Sequence, residues 1–156
     1  MIEQEKFMKL AIKQAIKAKE QDEVPIGAVI VKDGQIISSG YNLRESKQNS
    51  LKHAEIIAID KACKKLGNFR LEDCELYVTI EPCLMCAGAI VQSRIKKVYF
   101  GARDEKYGAV TSVVNAFDIK SNHKVDFEEG VCKAECEMLI KQFFRELRER
   151  KKSSKS

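Results

Sequence analysis

Four residues of this chain could share one piece of chemistry. His53 and Glu55 stand two apart in His53-Ala-Glu55, and Cys83 and Cys86 close the run Glu81-Pro-Cys-Leu-Met-Cys86. Two thiolates and an imidazole are soft donors that select zinc over magnesium or calcium. Pro82 suits the first turn of a helix, where its missing N–H is no loss, so a helix is expected to open there with both sulfurs in its first turn. The positive end of a helix lowers a thiol pKa and favours the thiolate that a metal requires. Residues two apart on a regular helix point about 200° away from each other, so His53 and Glu55 converge on one ligand only at a helix start. There the backbone N–H of Ala54 is also free to donate to a substrate.

A closed structural zinc site would need a fourth ligand. Cys63 lies roughly 15 Å along the same helix from His53, at 1.5 Å per residue. Cys74 sits roughly 20 Å from Cys83, across an extended strand. Cys132 and Cys136, one helical turn apart near the C-terminus, are not excluded by distance and read as packed core thiols. With three protein ligands, a fourth position is open to water, whose pKa zinc lowers from about 16 toward about 7. Glu55 then has a proton to move. A redox dithiol is the other reading of Cys-x-x-Cys, but the thioredoxin-like pattern that accompanies it is missing.

The elements that must position these residues follow from periodicity. Residues 3–20 place Met8, Ala11, Ile12, Ala15 and Ala18 on one face of a helix. Residues 27–31 and 35–38 are strand-like runs joined by Lys32-Asp-Gly34, a hairpin turn. A polar loop from Asn42 to Ser50 leads into a helix over 53–66. Residues 75–80 form a buried strand, a helix runs from Pro82 to about Arg94, and residues 97–100 form the next strand. A weak strand is expected over 124–127 and a last helix from about Cys132 to Lys151, with Phe143 and Phe144 among its apolar positions. The pattern is a single α/β domain over residues 1–156, with helices covering a mixed sheet.

Bulk properties agree with a globular chain. Its 156 residues are 44% hydrophobic and 33% charged, with eight Gly and two Pro. No apolar run approaches the roughly 20 residues that span a bilayer, and the first residues lack the plan of a signal peptide, so no membrane partner and a cytoplasmic location are expected. Six cysteines in such a chain should remain thiols. Part of the net charge of +5 is concentrated at the end, where residues 145–156 carry six cations against two acids. A basic helix and tail of that kind attracts a polyanion such as RNA, or is simply a solvated helix end.

His-x-Glu followed by Pro-Cys-x-x-Cys is the signature of zinc deaminases of nucleobases, of which the tRNA adenosine deaminases are a standard example. The chain resembles the bacterial TadA-type tRNA adenosine deaminases, of the cytidine-deaminase-like fold, over nearly its whole length. Further stretches that carry the likeness are Glu23-Val-Pro-Ile-Gly-Ala-Val29, Leu76-Tyr-Val-Thr-Ile-Glu-Pro-Cys-Leu-Met-Cys-Ala-Gly-Ala89, Ser93-Arg-Ile95, Gly101-Ala-Arg-Asp104 and Phe143-Phe144. The resemblance implies a three-layer α/β fold with a mixed five-stranded sheet. It implies that His53, Cys83 and Cys86 hold one Zn2+ per chain and that Glu55 shuttles protons. Asn42 and the Ala54 N–H would read the purine, and Ile26 would line its pocket. Asp104, Lys106, Phe144 and Arg148 would lie near flanking nucleotides, although Phe144 could equally pack in the core. The implied reaction is adenosine to inosine at the first anticodon position of a tRNA anticodon stem-loop, by a homodimer. A deaminase of a free base or nucleotide, guanine or cytosine, would share the zinc site without needing the basic C-terminal helix. One position departs from the family: Lys52 precedes His53, where a cation opposes the helix dipole.

Overall fold

The computed structural model describes residues 2–154. Its elements are α1 (Glu3–Glu20), β1 (Gly27–Lys32), β2 (Gln35–Tyr41), α2 (Ala54–Leu66), β3 (Cys74–Ile80), α3 (Leu84–Gln92), β4 (Lys97–Ala102), β5 (Asp126–Glu129) and α4 (Lys133–Ser154), with a 3-10 turn at Ala116–Asp118. The sheet runs in the order β2-β1-β3-β4-β5. β1 pairs antiparallel with both β2 and β3, whereas β3, β4 and β5 are parallel. The mixed five-stranded sheet covered by helices is therefore present.

Alternation along the central strands divides the core into two. Ala28 and Ile30 of β1, Leu76 and Val78 of β3, and Val98 and Phe100 of β4 face one way, against Ala54, Ala58 and Ala62 of α2 and Ala87 and Ile90 of α3. Val29, Val31, Tyr77 and Tyr99 face the other way, against Phe7, Met8, Ala11 and Ile12 of α1 and Cys136 of α4. Helix, sheet and helix make three layers. The small residues of α2 let it lie close to the sheet. At Gly40 of β2 an added Cβ would stand 2.6 Å from the Ala54 carbonyl oxygen and 2.9 Å from the Ala58 nitrogen, so only glycine admits the first turn of α2.

Several boundaries differ from expectation by one to three residues, and three of them have a physical reason. β2 continues to Tyr41, because Gly40, an ordinary strand breaker, is here the helix contact. α3 begins at Leu84, after Pro82, because Cys83 is held extended as its N-cap. β5 lies two residues later than the hydrophobic run suggests, and all four of its residues are exposed. It is an edge strand held by its ladder to β4, so alternation could not mark it. Lys155 and Ser156 of the basic tail lie outside the described residues.

Candidate metal and catalytic site

His53 ends a turn-rich loop and Cys83 follows strand β3, and each stands extended directly before a helix. His53 has φ −78° and ψ 154° and caps α2, and Cys83 has φ −76° and ψ 176° and caps α3. The loop before His53 is fixed by hydrogen bonds from Leu43 N–H to the Lys52 carbonyl at 3.0 Å and from His53 N–H to the Leu51 carbonyl at 2.8 Å. Cys83 is fixed by an isolated antiparallel bridge to Gly108 and by Ala109 N–H donating to the Pro82 carbonyl at 2.9 Å. Cys86 then falls in the first turn of α3.

The ligand atoms of His53, Cys83 and Cys86 all lie within 4.8 Å of one another. The His53 Nδ1 atom is 3.6 Å from the Cys83 sulfur and 3.5 Å from the Cys86 sulfur. These three could hold a metal ion, and among the described residues no other such group occurs. Cys132 and Cys136 stay out of it: Cys136 packs into the core beneath Gly101, and burial pushes its thiol up to about 12. The second histidine, His123, is tied by Nε2 to the Ile95 carbonyl at 2.7 Å.

Glu55 is 3% exposed. Burial pushes its carboxyl from an ordinary 4.5 up to about 7, against the opposing effect of its own backbone N–H. The thiols divide sharply: hydrogen bonds from Cys86 and His53 drive Cys83 far down toward thiolate, and the proton they share drives Cys86 up. The Cys83 hydrogen bond in turn raises His53. A metal cation would replace this shared proton.

The purine-reading candidates adjoin one another. Asn42 is 4% exposed; its N–H donates to the Ile26 carbonyl at 3.1 Å and its Nδ2 to the Val24 carbonyl at 3.4 Å. Its side-chain oxygen is buried with no hydrogen-bond partner among the described residues. Ile26 is half-buried against the core, and Ala54 is buried at the first position of α2, where its N–H has no intrahelical acceptor. Asp104 accepts from the N–H groups of Lys106 and Tyr107 at 3.1 Å each, and Lys106 is exposed. On α4 the aromatic pair splits: Phe143 is 4% exposed and Phe144 38%. Arg148 is exposed and makes no ion pair among the described residues.

Sequence reasoning gave no role to two further buried acids. Glu23, 2% exposed, accepts from Glu45 N–H at 3.2 Å and from the Ser46 N–H and hydroxyl at 2.6 Å. Glu81, 1% exposed, gathers the loop after β4; burial alone would raise its carboxyl, but donors from Ser112, Thr111 and Val110 hold it below the usual range. The available signal was an acid at the end of a buried apolar strand, directly before Pro-Cys.

A model of the MafB19-like deaminase family matches residues 2–148. The chain is 51% identical over 156 residues to the tRNA-specific adenosine deaminase of Bacillus subtilis, covering 99% of this chain and 97% of that one. A solved structure from work on A-to-I editing by tRNA:A34 deaminases at the wobble position of transfer RNA superposes with a TM-score of 0.83 at 45% identity, over 85% of this chain and 97% of that one. A guanine deaminase from Bacillus subtilis superposes with a TM-score of 0.61 at 34% identity, over 76% of this chain and 86% of that one. With a histidine and two cysteines that could hold a metal standing at the starts of two helices, and with the family model and the Bacillus subtilis relative matching nearly the whole chain, the protein belongs to the MafB19-like deaminase family and is similar to relatives named tRNA-specific adenosine deaminases.

Proposed function

We propose that the protein is a zinc-dependent hydrolytic deaminase that converts adenosine to inosine at the first anticodon position of tRNA. The observation that carries the chemistry is the cluster of three donors, His53, Cys83 and Cys86, with one buried acid, Glu55, hydrogen-bonded to the Cys86 side chain. Tetrahedral zinc, with bonds of about 2.3 Å to sulfur and about 2.0–2.1 Å to nitrogen, separates nitrogen from sulfur by about 3.6 Å. The separations of 3.6 and 3.5 Å from His53 Nδ1 fit that ion. When bound, zinc would supply Lewis acidity and bring the pKa of a water toward about 7.

The chain's own residues do the rest. Glu55, buried and hydrogen-bonded to the Cys86 side chain, is placed to take a proton and return it beside the three donors. It takes a proton from the attacking water and delivers protons to purine N1 and to the amine leaving C6. Adenosine plus water thereby gives inosine plus ammonia. The unpartnered Asn42 oxygen accepts from the purine and the Ala54 N–H donates to it, so that both buried groups gain the hydrogen bond they lack. Ile26 gives the pocket an apolar wall. A base reaches such a site only when flipped out of its stack, and an anticodon loop presents a base that is already splayed.

Asp104, Lys106, Phe144 and Arg148 serve the flanking nucleotides. Lysine and arginine suit phosphates, and an exposed phenylalanine suits a base. The exposure of Phe144 and the lack of an ion-pair partner for Arg148 among the described residues support this reading. The likeness to tRNA-specific adenosine deaminases supports the choice of RNA over a free base. A homodimer is supported by exposed Leu84, Val113 and Val114 beside the Cys83–Gly108 bridge, at 63, 55 and 45% exposure. Residues 1–156 act as one deaminase unit in the cytoplasm; among the described residues no helix is long and apolar enough to cross a membrane. Ammonia release from an anticodon stem-loop, free adenosine, guanine and cytosine tests the proposal. The stem-loop should be the one good substrate, and faster release from guanine or cytosine would replace this reading with the free-base one.

A further inference from the structure

Glu81 stands at the joint between β3 and the metal-ligating helix, two residues before Cys83. Its backbone N–H donates to the Ala102 carbonyl at 2.8 Å, which docks it on the end of β4. Its side chain turns into the loop that follows β4. One carboxylate oxygen accepts from Asp104 N–H at 3.1 Å and from the Ser112 hydroxyl. The other accepts from the N–H groups of Val110, Thr111 and Ser112 at 3.0, 2.8 and 3.0 Å. No lysine, arginine or histidine forms an ion pair with it among the described residues.

A buried carboxylate without a cation is tolerable only when oriented dipoles replace its water. Here those dipoles belong to the two ends of one loop, residues 104–112, which has no helix or strand of its own. The carboxylate therefore takes the place of a ladder: it pulls the first and last residues of the loop to a single point. Gly108, between them, forms the bridge to Cys83 and donates its N–H to the Asp104 carbonyl at 2.8 Å. A Cβ at Gly108 would fall on the Glu81 carboxyl group itself, so the clasp and the glycine fit only each other.

We propose that Glu81 is a positioning residue that clasps loop 104–112 in one conformation beside the metal site, giving RNA a preformed wall that carries Asp104 and Lys106. The inference rests on the RNA reading of that loop given above. A loop held open would have to be ordered by the RNA itself, so loss of the clasp should weaken binding more than the chemical step.

Glu81→Gln tests this. Glutamine keeps one oxygen for the three consecutive N–H groups but turns an NH2 toward the Asp104 N–H, so the loop loses its first anchor. Amide hydrogen exchange of the RNA-free protein should speed up in residues 104–112 by about tenfold or more, the scale of one charge-assisted hydrogen bond. The KM for an anticodon stem-loop should rise about tenfold, with a smaller fall in kcat and zinc still bound. Ser112→Ala, which removes the hydroxyl donor and leaves the carboxylate, should loosen the same segment by a smaller factor. Exchange in 104–112 as slow as in the parent, or a kcat and zinc loss with KM unchanged, would overturn the clasp. If the parent itself ignores the stem-loop, the RNA reading fails separately and the exchange result alone decides for or against the clasp.

Discussion

His53 and Cys83 occupy the same place in two different helices. Each is the extended N-cap, and across the gap between α2 and α3 the His53 Nδ1 atom lies 3.6 Å from the Cys83 sulfur. A cap residue has left the helix, so its side chain is free to turn across the helix end while the next residue starts the turn. Two such ends bring their positive poles to one point. That arrangement favours thiolate and, in the fourth position, any group that carries negative charge.

Metal content follows from this pairing. Purified protein should hold about one zinc per chain, read by atomic emission. Cys86→Ser should lose metal and turnover together, because a hydroxyl is a poor replacement for thiolate toward zinc. Cys132→Ser and Cys136→Ser should keep the metal, although Cys136→Ser should melt lower, with an unpartnered hydroxyl placed in a buried site worth about 1–3 kcal/mol. Stoichiometric zinc in a Cys83→Ser, Cys86→Ser double variant contradicts the ligand set.

Glu55→Gln should keep zinc and stem-loop affinity and lose turnover by about 10²–10⁴-fold or more, the range for one general acid–base group. A variant within about tenfold of the parent would place the proton carrier elsewhere.

The same variant exposes the burial of Glu55 in metal-free protein. Its folded carboxyl, raised from 4.5 to about 7, keeps a proton that the unfolded chain releases over that interval. The contribution of protonated Glu55 to stability is therefore full below pH 4.5 and is lost as pH rises through about 7. His53, Cys83 and Cys86 interact with Glu55, so the comparison reads the carboxyl together with its coupling to them. Urea unfolding from pH 4.5 to 7.5 should show the parent losing up to about 3 kcal/mol relative to Glu55→Gln, at about 1.4 kcal/mol per unit. Parallel curves would mean that the carboxyl is not buried.

Gly40→Ala should cost about 1–3 kcal/mol, the usual scale for forcing extra volume into a packed contact. The new Cβ meets the Ala54 carbonyl oxygen at 2.6 Å and pushes away the turn that carries His53 and Glu55. Zinc affinity should fall with stability, and an unchanged melting temperature would mean that α2 does not rest on β2 there.

Much of this site was legible because its logic is local. Two residues apart cannot converge within a helix, so His53 and Glu55 had to stand at a helix start. The hairpin, the buried strands and the stripe of α1 follow from period alone. Pro82 misled by two residues, since the bridge to Gly108 that holds Cys83 extended comes from a loop 25 positions away. Glu81 was illegible for the same reason: its donors lie 23 to 31 residues on and are backbone N–H groups and one serine, which no side-chain pattern announces. The division of Phe143 from Phe144 also needed coordinates, because both fit an apolar stripe. It changes the useful experiment: cutting the chain before Phe143 removes a core residue, whereas Phe144→Ala removes an exposed ring. That variant and Arg148→Ala should weaken stem-loop binding while leaving zinc and melting temperature in place, and Arg148→Ala should reduce the salt dependence of binding by about one unit of slope.

The most direct measurement takes an anticodon stem-loop with adenosine at its first anticodon position, incubates it with the zinc-loaded protein, and maps inosine nucleotide by nucleotide. The proposed function predicts conversion at that position, with nearly none in free adenosine and none by Glu55→Gln. Conversion scattered over other adenosines, or an intact stem-loop beside rapid deamination of guanine or cytosine, would contradict it.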